Sequence, residues 1–160
     1  MNDKMEKEFL KTILDNQSII YKICRMYRDS KEDQEDLYQE IVYQLWKSYP
    51  SFKNESKVSS WIYRIALNTS MAVYRKSKIT IEYYEDFPEH IHPSGEEIIS
   101  ENEDRLFSAF RFLSDIEKAI ISLYLEDFNY LEIAEITGLT ENNTGVKINR
   151  IKNKLKKILS

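Results

Sequence analysis

The 160-residue, 19.1 kDa chain has room for one domain or two small ones, and its 42% hydrophobic and 12% aromatic content excludes disorder throughout. Three glycines and three prolines are too few for a protein built on many tight turns, so a mainly helical fold is expected. The net charge of −4 argues against a uniformly basic protein. Cys24 has no internal disulfide partner, and no Cys/His spacing fits a zinc site, so neither a metal nor a cofactor is expected. No apolar run is long enough to span a bilayer, and MNDKMEKEFLKTILDN lacks the apolar stretch of a signal peptide. The expectation is a soluble, cytoplasmic protein.

In chain order, residues 5–27 place Met5, Phe9, Ile13, Ile19, Ile20, Ile23 and Tyr27 at helical spacing. From Asp36 to Tyr49 the pattern strengthens, with Leu37, Ile41 and Leu45 in line beside Tyr38, Val42 and Trp46. Asp36, Gln39, Glu40 and Tyr43 recur at i, i+3, i+4 and i+7 and therefore share another, exposed face. Pro50 stops this helix, and the polar stretch SFKNESKVS follows, with Ser59 as the expected N-cap of the next helix. That helix turns Ile62, Ile65, Ala66, Thr69 and Val73 one way and Arg64, Asn68, Met71 and Arg75 another, with Trp61 nearby and Lys76 and Lys78 beyond. Cations meet phosphates, rings stack on unpaired bases and an amide reads a base edge, so this face suits single-stranded DNA.

Charge divides sharply along the chain. Residues 1–78 hold 14 Lys and Arg against 11 Asp and Glu, whereas residues 79–105 hold one basic residue against nine acidic ones. Pro88, Pro93 and Gly95 interrupt this acidic stretch, which reads as a linker. It serves either as a solvated spacer or as a charge that keeps the free protein off DNA, and Ile79, Ile81, Tyr83, Tyr84 and Phe87 suggest that it docks on something. His90 and His92 read as exposed spacer residues rather than ligands.

Leu106, Phe110 and Leu113 begin a third apolar pattern, and Ser114 with Glu117 forms a capping-box signature for the helix that follows. The segment from Asn129 reads as helix, tight turn at Gly138-Leu139, Thr140 as N-cap and a second helix, together a helix-turn-helix at 130–150. Thr144, Ile148, Ile151, Leu155 and Ile158 form its inner stripe. Glu141, Asn142 and Asn143 offer short polar groups for base edges. Lys147, Arg150, Lys154 and Lys157 offer charge for phosphates. Residues 144–160 carry six Lys and Arg and no acid.

In series, DLYQEIVYQLWKSYPSF, SWIYRIALNTSMAVYRK and LSDIEKAIISLYLEDFNYLEIAEITGLT resemble the extracytoplasmic-function (ECF) group of the sigma-70 family of bacterial RNA polymerase sigma factors. The resemblance implies an all-α protein of two small helical domains, an N-terminal bundle and a C-terminal helix-turn-helix bundle, joined by the acidic linker. Residues 1–78 would bind core polymerase and melt the −10 element, 79–105 would thread towards the RNA exit channel, and 106–160 would read the −35 element. The implied partners are core RNA polymerase at its β′ clamp and β flap, promoter DNA, duplex at −35 and single-stranded at −10, and an anti-sigma factor. No membrane insertion, catalytic residue or nucleotide hydrolysis is implied.

Carried onto this chain, the resemblance makes Asp36, Gln39, Glu40 and Tyr43 the polymerase contact. Phe52, Asn54, Ser56 and Ser59 would capture a flipped-out base, with Trp61, Arg64, Asn68, Arg75 and Lys76 along the strand's path. Thr140, Glu141, Asn142, Asn143, Lys147, Arg150 and Lys154 would address the −35 duplex. The chain departs from the family pattern at Leu67, where an Arg is usual, at Ala72, where an Asp is usual, and at Asn143–Lys147, which places Gly145 inside a helix. Two other readings compete: a stand-alone helix-turn-helix regulator, and a sigma-like helical interaction protein without DNA binding.

Overall fold

The computed structural model describes residues 3–52, 57–75 and 100–160, with backbone alone for 73–75. The described residues are helical with no strand. The chain divides into two compact units, Met1–Gly95 and Glu96–Ser160. The all-α, two-unit architecture expected from the sequence is the one observed. Most of the acidic segment, including His90 and His92, lies outside the described residues.

The N-terminal unit contains α1 (Asp3–Asp15), α2 (Gln17–Tyr27), α3 (Lys31–Ser48), a 3-10 turn (Tyr49–Ser51) and α4 (Val58–Arg75). The single pattern over 5–27 resolves into two helices. Asn16, at φ −123 and ψ 19, leaves helical geometry, and its side-chain amide donates to the Thr12 carbonyl at 2.8 Å. Ser30 caps α3 by accepting from the Asp33 N–H at 3.1 Å, and Glu32 and Asp33 complement the positive end of its dipole. Pro50 ends α3 as expected, within the 3-10 turn. Helix α4 begins before the expected cap: the Trp61 N–H donates to the Lys57 carbonyl at 3.1 Å, which puts Ser59 inside the first turn.

Helices α2, α3 and α4 pack pairwise. Ile20, Ile23, Leu37, Ile41, Leu45, Ile62, Ala66 and Leu67 fill the space between them. Full burial of each Leu or Ile side chain contributes roughly 1.5–3 kcal/mol. Phe9 anchors α1 through edge contacts to Trp46 at 4.9 Å and Tyr49 at 5.2 Å. Arg28 donates to the carbonyls of Tyr27 at 2.8 Å and Ser70 at 3.3 Å, fastening the end of α2 to α4.

The C-terminal unit contains α5 (Glu101–Phe110), α6 (Asp115–Leu125), α7 (Tyr130–Thr137) and α8 (Glu141–Leu159). Helix α5 starts inside the stretch that the composition marks as linker. Ser100 caps it, and Glu101, Glu103 and Asp104 lie at its positive end, where acidic residues stabilise a helix. Helices α6, α7 and α8 pack mutually and α5 packs on α8 around Phe110, Leu113, Ile120, Leu123, Ile133, Ile148 and Ile151.

Candidate nucleic-acid interface

On α3 the buried stripe of Leu37, Tyr38, Ile41, Val42, Leu45 and Trp46 leaves Asp36 exposed and Gln39, Glu40 and Tyr43 half-buried on the opposite face. The Gln44 amide donates to Glu40 Oε1 at 3.1 Å and orients that carboxylate. The four residues selected from the sequence share one surface.

On α4 Ile62, Tyr63, Ala66, Leu67 and Ser70 are buried, while Arg64 and Asn68 stand exposed one turn apart. Leu67 is 1% exposed, so an arginine at this position would bring an unpaired charge into the core. Ala72, the other departure, is exposed. Trp61 is half-buried, and Phe52 stacks on its indole at 4.6 Å and 25°, with Tyr49 6.1 Å away. The two aromatic candidates therefore form one stacked pair rather than two separate platforms. Arg75 ends α4, but its side chain, with Asn54, Ser56 and Lys76, lies outside the described residues.

The helix-turn-helix is built by caps. Asn129 and Glu132 cap α7 reciprocally at 2.8 and 3.1 Å. Gly138 takes the left-handed conformation at φ +80 that a chain reversal after a helix demands, and its N–H donates to the Ala134 carbonyl at 2.9 Å. Thr140 Oγ1 accepts from the Asn143 N–H at 3.1 Å and opens α8, so this candidate base contact is also the helix cap. Thr144, fully buried, donates its hydroxyl to the Thr140 carbonyl at 2.9 Å.

Thr144, Ile148, Ile151 and Leu155 anchor α8. Glu141, Asn142, Asn143 and Arg150 are exposed and Lys147 is half-buried. Lys154 has an intramolecular partner: its ammonium lies 3.2 Å from Glu117 Oε1. Burial opposes the Glu117 charge, but the Ser114 N–H, the Lys154 ammonium and the Ser114 hydroxyl outweigh it and hold the carboxyl below its usual range. The outermost line of α8 is Asn142, Val146, Asn149 and Asn153, of which sequence reasoning selected only Asn142. The opposition of 142, 146, 149 and 153 to the inner stripe is legible in the helical repeat, and the charged row lies on the flank of that line. Beside α8, Leu106, Ile121, Tyr124, Leu125 and Leu155 line an apolar cleft that Lys152 and Lys156 also border.

An acidic and amide face, an Arg/Asn strip beside stacked rings, and a capped helix-turn-helix with a basic helix define a DNA-engaging transcription protein. The Sigma-70 region 2 family matches residues 12–79. The chain is 30% identical over 139 residues to the RNA polymerase sigma factor SigV of Bacillus subtilis, covering 86% of this chain and 82% of SigV. It is 25% identical over 156 residues to the ECF sigma factor SigW of the same organism, covering 88% and 82%. It also shares a fold, at TM-score 0.72 and 22% identity, with a chain of the co-crystal structure of the sigma factor RpoE and the anti-sigma factor NepR from Bartonella quintana. That likeness covers 96% of this chain and 97% of the other. The chain belongs to the ECF group of sigma-70 RNA polymerase sigma factors, and its role is that of an alternative sigma factor in transcription initiation. No helix among the described residues is long and apolar enough to cross a membrane.

Proposed function

We propose that this sigma factor divides its work among α3, α4 and α8. The Asp36, Gln39, Glu40 and Tyr43 face of α3 docks on the polymerase clamp. The exposed Arg64 and Asn68 of α4, beside the Phe52–Trp61 pair, guide the displaced −10 strand. Helix α8 enters the −35 major groove, with Arg150, Lys147 and Lys157 towards phosphates. The apolar cleft bordered by Lys152 and Lys156 is the seat for the β flap. The observation that carries this reading is the partition of α4: Ile62, Ala66 and Leu67 hold the helix in the core while Arg64 and Asn68 remain exposed on one strip.

Strand opening is then driven by captured unpaired bases and polymerase contacts, and the polymerase performs the chemistry. The protein works in the cytoplasm, and an anti-sigma factor that covers the α3 or α8 surface would silence it. The test is reconstitution with bacterial core polymerase on a genomic library, with permanganate footprinting of opened promoters. The wild type should initiate at defined sites. Arg64→Glu with Asn68→Ala should keep core binding but lose at least about tenfold in opening, whereas Asp36→Lys with Glu40→Lys should lose core binding itself. Unchanged opening by the α4 variant would refute its assignment.

A further inference from the structure

We infer that Val146 and Asn149, with Asn142, form the base-reading edge of α8 and select A·T pairs in the duplex. The inference rests on the proposed placement of α8 in the major groove and adds which side chains read the bases and which pairs they prefer.

The geometry begins with the buried stripe of Thr144, Ile148, Ile151 and Leu155. A repeat of 3.6 residues puts Asn142, Val146 and Asn149 on the opposite side, and all three are exposed. Val146 is 40% exposed. Arg150 and Lys157 are exposed along one flank of this line and Lys156 along the other, and after Glu141 the helix has no acidic residue. A neutral crest between cationic flanks complements a groove whose floor is base edges and whose walls are phosphates.

Gly145 shapes the surface beside the crest. A Cβ there would meet the Tyr130 ring at 3.2 and 3.4 Å. Its absence lets the ring lie against the α8 backbone and opens a shallow cleft lined by Tyr130, Glu141, Asn142, Gly145, Val146 and Asn149. The glycine that interrupts the helix pattern is thus accounted for by a close helix–ring approach at the reading edge.

The chemistry decides the base. An asparagine amide offers one donor and one acceptor, which match adenine N6 and N7, and an apolar side chain meets the thymine methyl. Asn142 and Asn149 are seven residues apart, about 10 Å along the axis at 1.5 Å per residue. That span is about three base steps at 3.4 Å each, with Val146 between them.

The test uses holoenzyme made with the full chain, on a promoter that it transcribes, with about eight upstream base pairs randomised and transcripts sequenced. The wild type should prefer A·T at two positions about three steps apart, each by roughly 5- to 150-fold. Asn149→Ala should cut the preference at one of them to under about twofold and leave the other intact. Val146→Ser should weaken a thymine preference between them, and Arg150→Ala should lower output for all sequences alike. Since these side chains are exposed, circular dichroism should show the fold unchanged. If the Asn149 and Val146 variants keep every wild-type preference while Arg150→Ala still loses output, the crest does not read bases, though α8 still binds DNA. Loss of one position's preference in Arg150→Ala alone would assign the reading to the cationic flank and overturn the inference. If the wild type shows no upstream preference and Arg150→Ala changes nothing, the placement of α8 itself fails.

Discussion

Tyr38→Phe should stabilise the N-terminal unit. The residue is 1% exposed, and its hydroxyl is the one buried side-chain polar atom among the described residues without a hydrogen-bond partner. In the unfolded chain that hydroxyl bonds to water, so folding strips a polar group and returns nothing for it. Protein mutational data put this cost at about 1–3 kcal/mol. Phenylalanine keeps the ring and its packing 5.0 Å from Tyr21, and leaves only an oxygen-sized gap. The net expectation is a gain of about 1–2 kcal/mol, whereas a tyrosine with its bond made would lose about 1 kcal/mol on the same change. Urea unfolding followed by tryptophan fluorescence isolates the effect, because Trp46 and Trp61 both belong to this unit. A second readout is alkaline pH. Burial raises the Tyr38 phenol above its ordinary 10.0, so the unfolded chain releases that proton first. Stability is undiminished by Tyr38 below pH 10 and falls as pH climbs towards the folded value. Cys24, pushed by burial from 9.0 up to about 12, adds a decline of the same sense that both proteins share. Tyr38→Phe should remove only the part that begins near pH 10. A loss of 0.5 kcal/mol or more at neutral pH, with an alkaline decline identical to the wild type, would refute the reasoning.

Two further changes test the C-terminal unit, where circular dichroism or amide exchange of α8 must replace tryptophan. Glu117→Gln keeps a capping side chain but removes the charge facing Lys154. Because the Glu117 carboxyl is held below its usual range, its contribution is complete above the unfolded carboxylate value of about 4.3 and disappears as pH falls through the folded value. The variant should lose less stability than the wild type between neutral pH and pH 3, and parallel curves would contradict the pairing. Gly145→Ala gains helix propensity of about 1 kcal/mol but pushes its methyl against Tyr130. The net gain should be smaller than in a Tyr130→Ala background, and an additive double-mutant cycle would exclude the close packing.

Helix positions, caps and the helix-turn-helix were legible in the sequence because they depend on neighbours a few residues away. Ser114 with Glu117, Thr140 as the opener of α8, and Gly138 at the turn all stand as the local pattern implied. So did the shared face of Asp36, Gln39, Glu40 and Tyr43, since a helical repeat alone settles which residues are neighbours. Ser59 lies two residues inside the true opening at Lys57, because a shift of that size in the first bond barely alters the local pattern.

What the chain's own order of residues determined, then, was an all-helical protein, which follows from periodicity and the scarcity of glycine and proline, and a resemblance to its family, which three short segments carry. Contacts between residues far apart in sequence decided the rest. Lys154 reads as a free cation until α6 brings Glu117 within 3.2 Å, and Trp61 reads as an open ring until Phe52 stacks on it. Gly145 reads only as a departure from the family pattern inside a helix until Tyr130, fifteen positions earlier, lies against it. Spacing along a helix sets the direction in which a side chain leaves the backbone, but only the packed neighbour sets whether that side chain stays available to a partner.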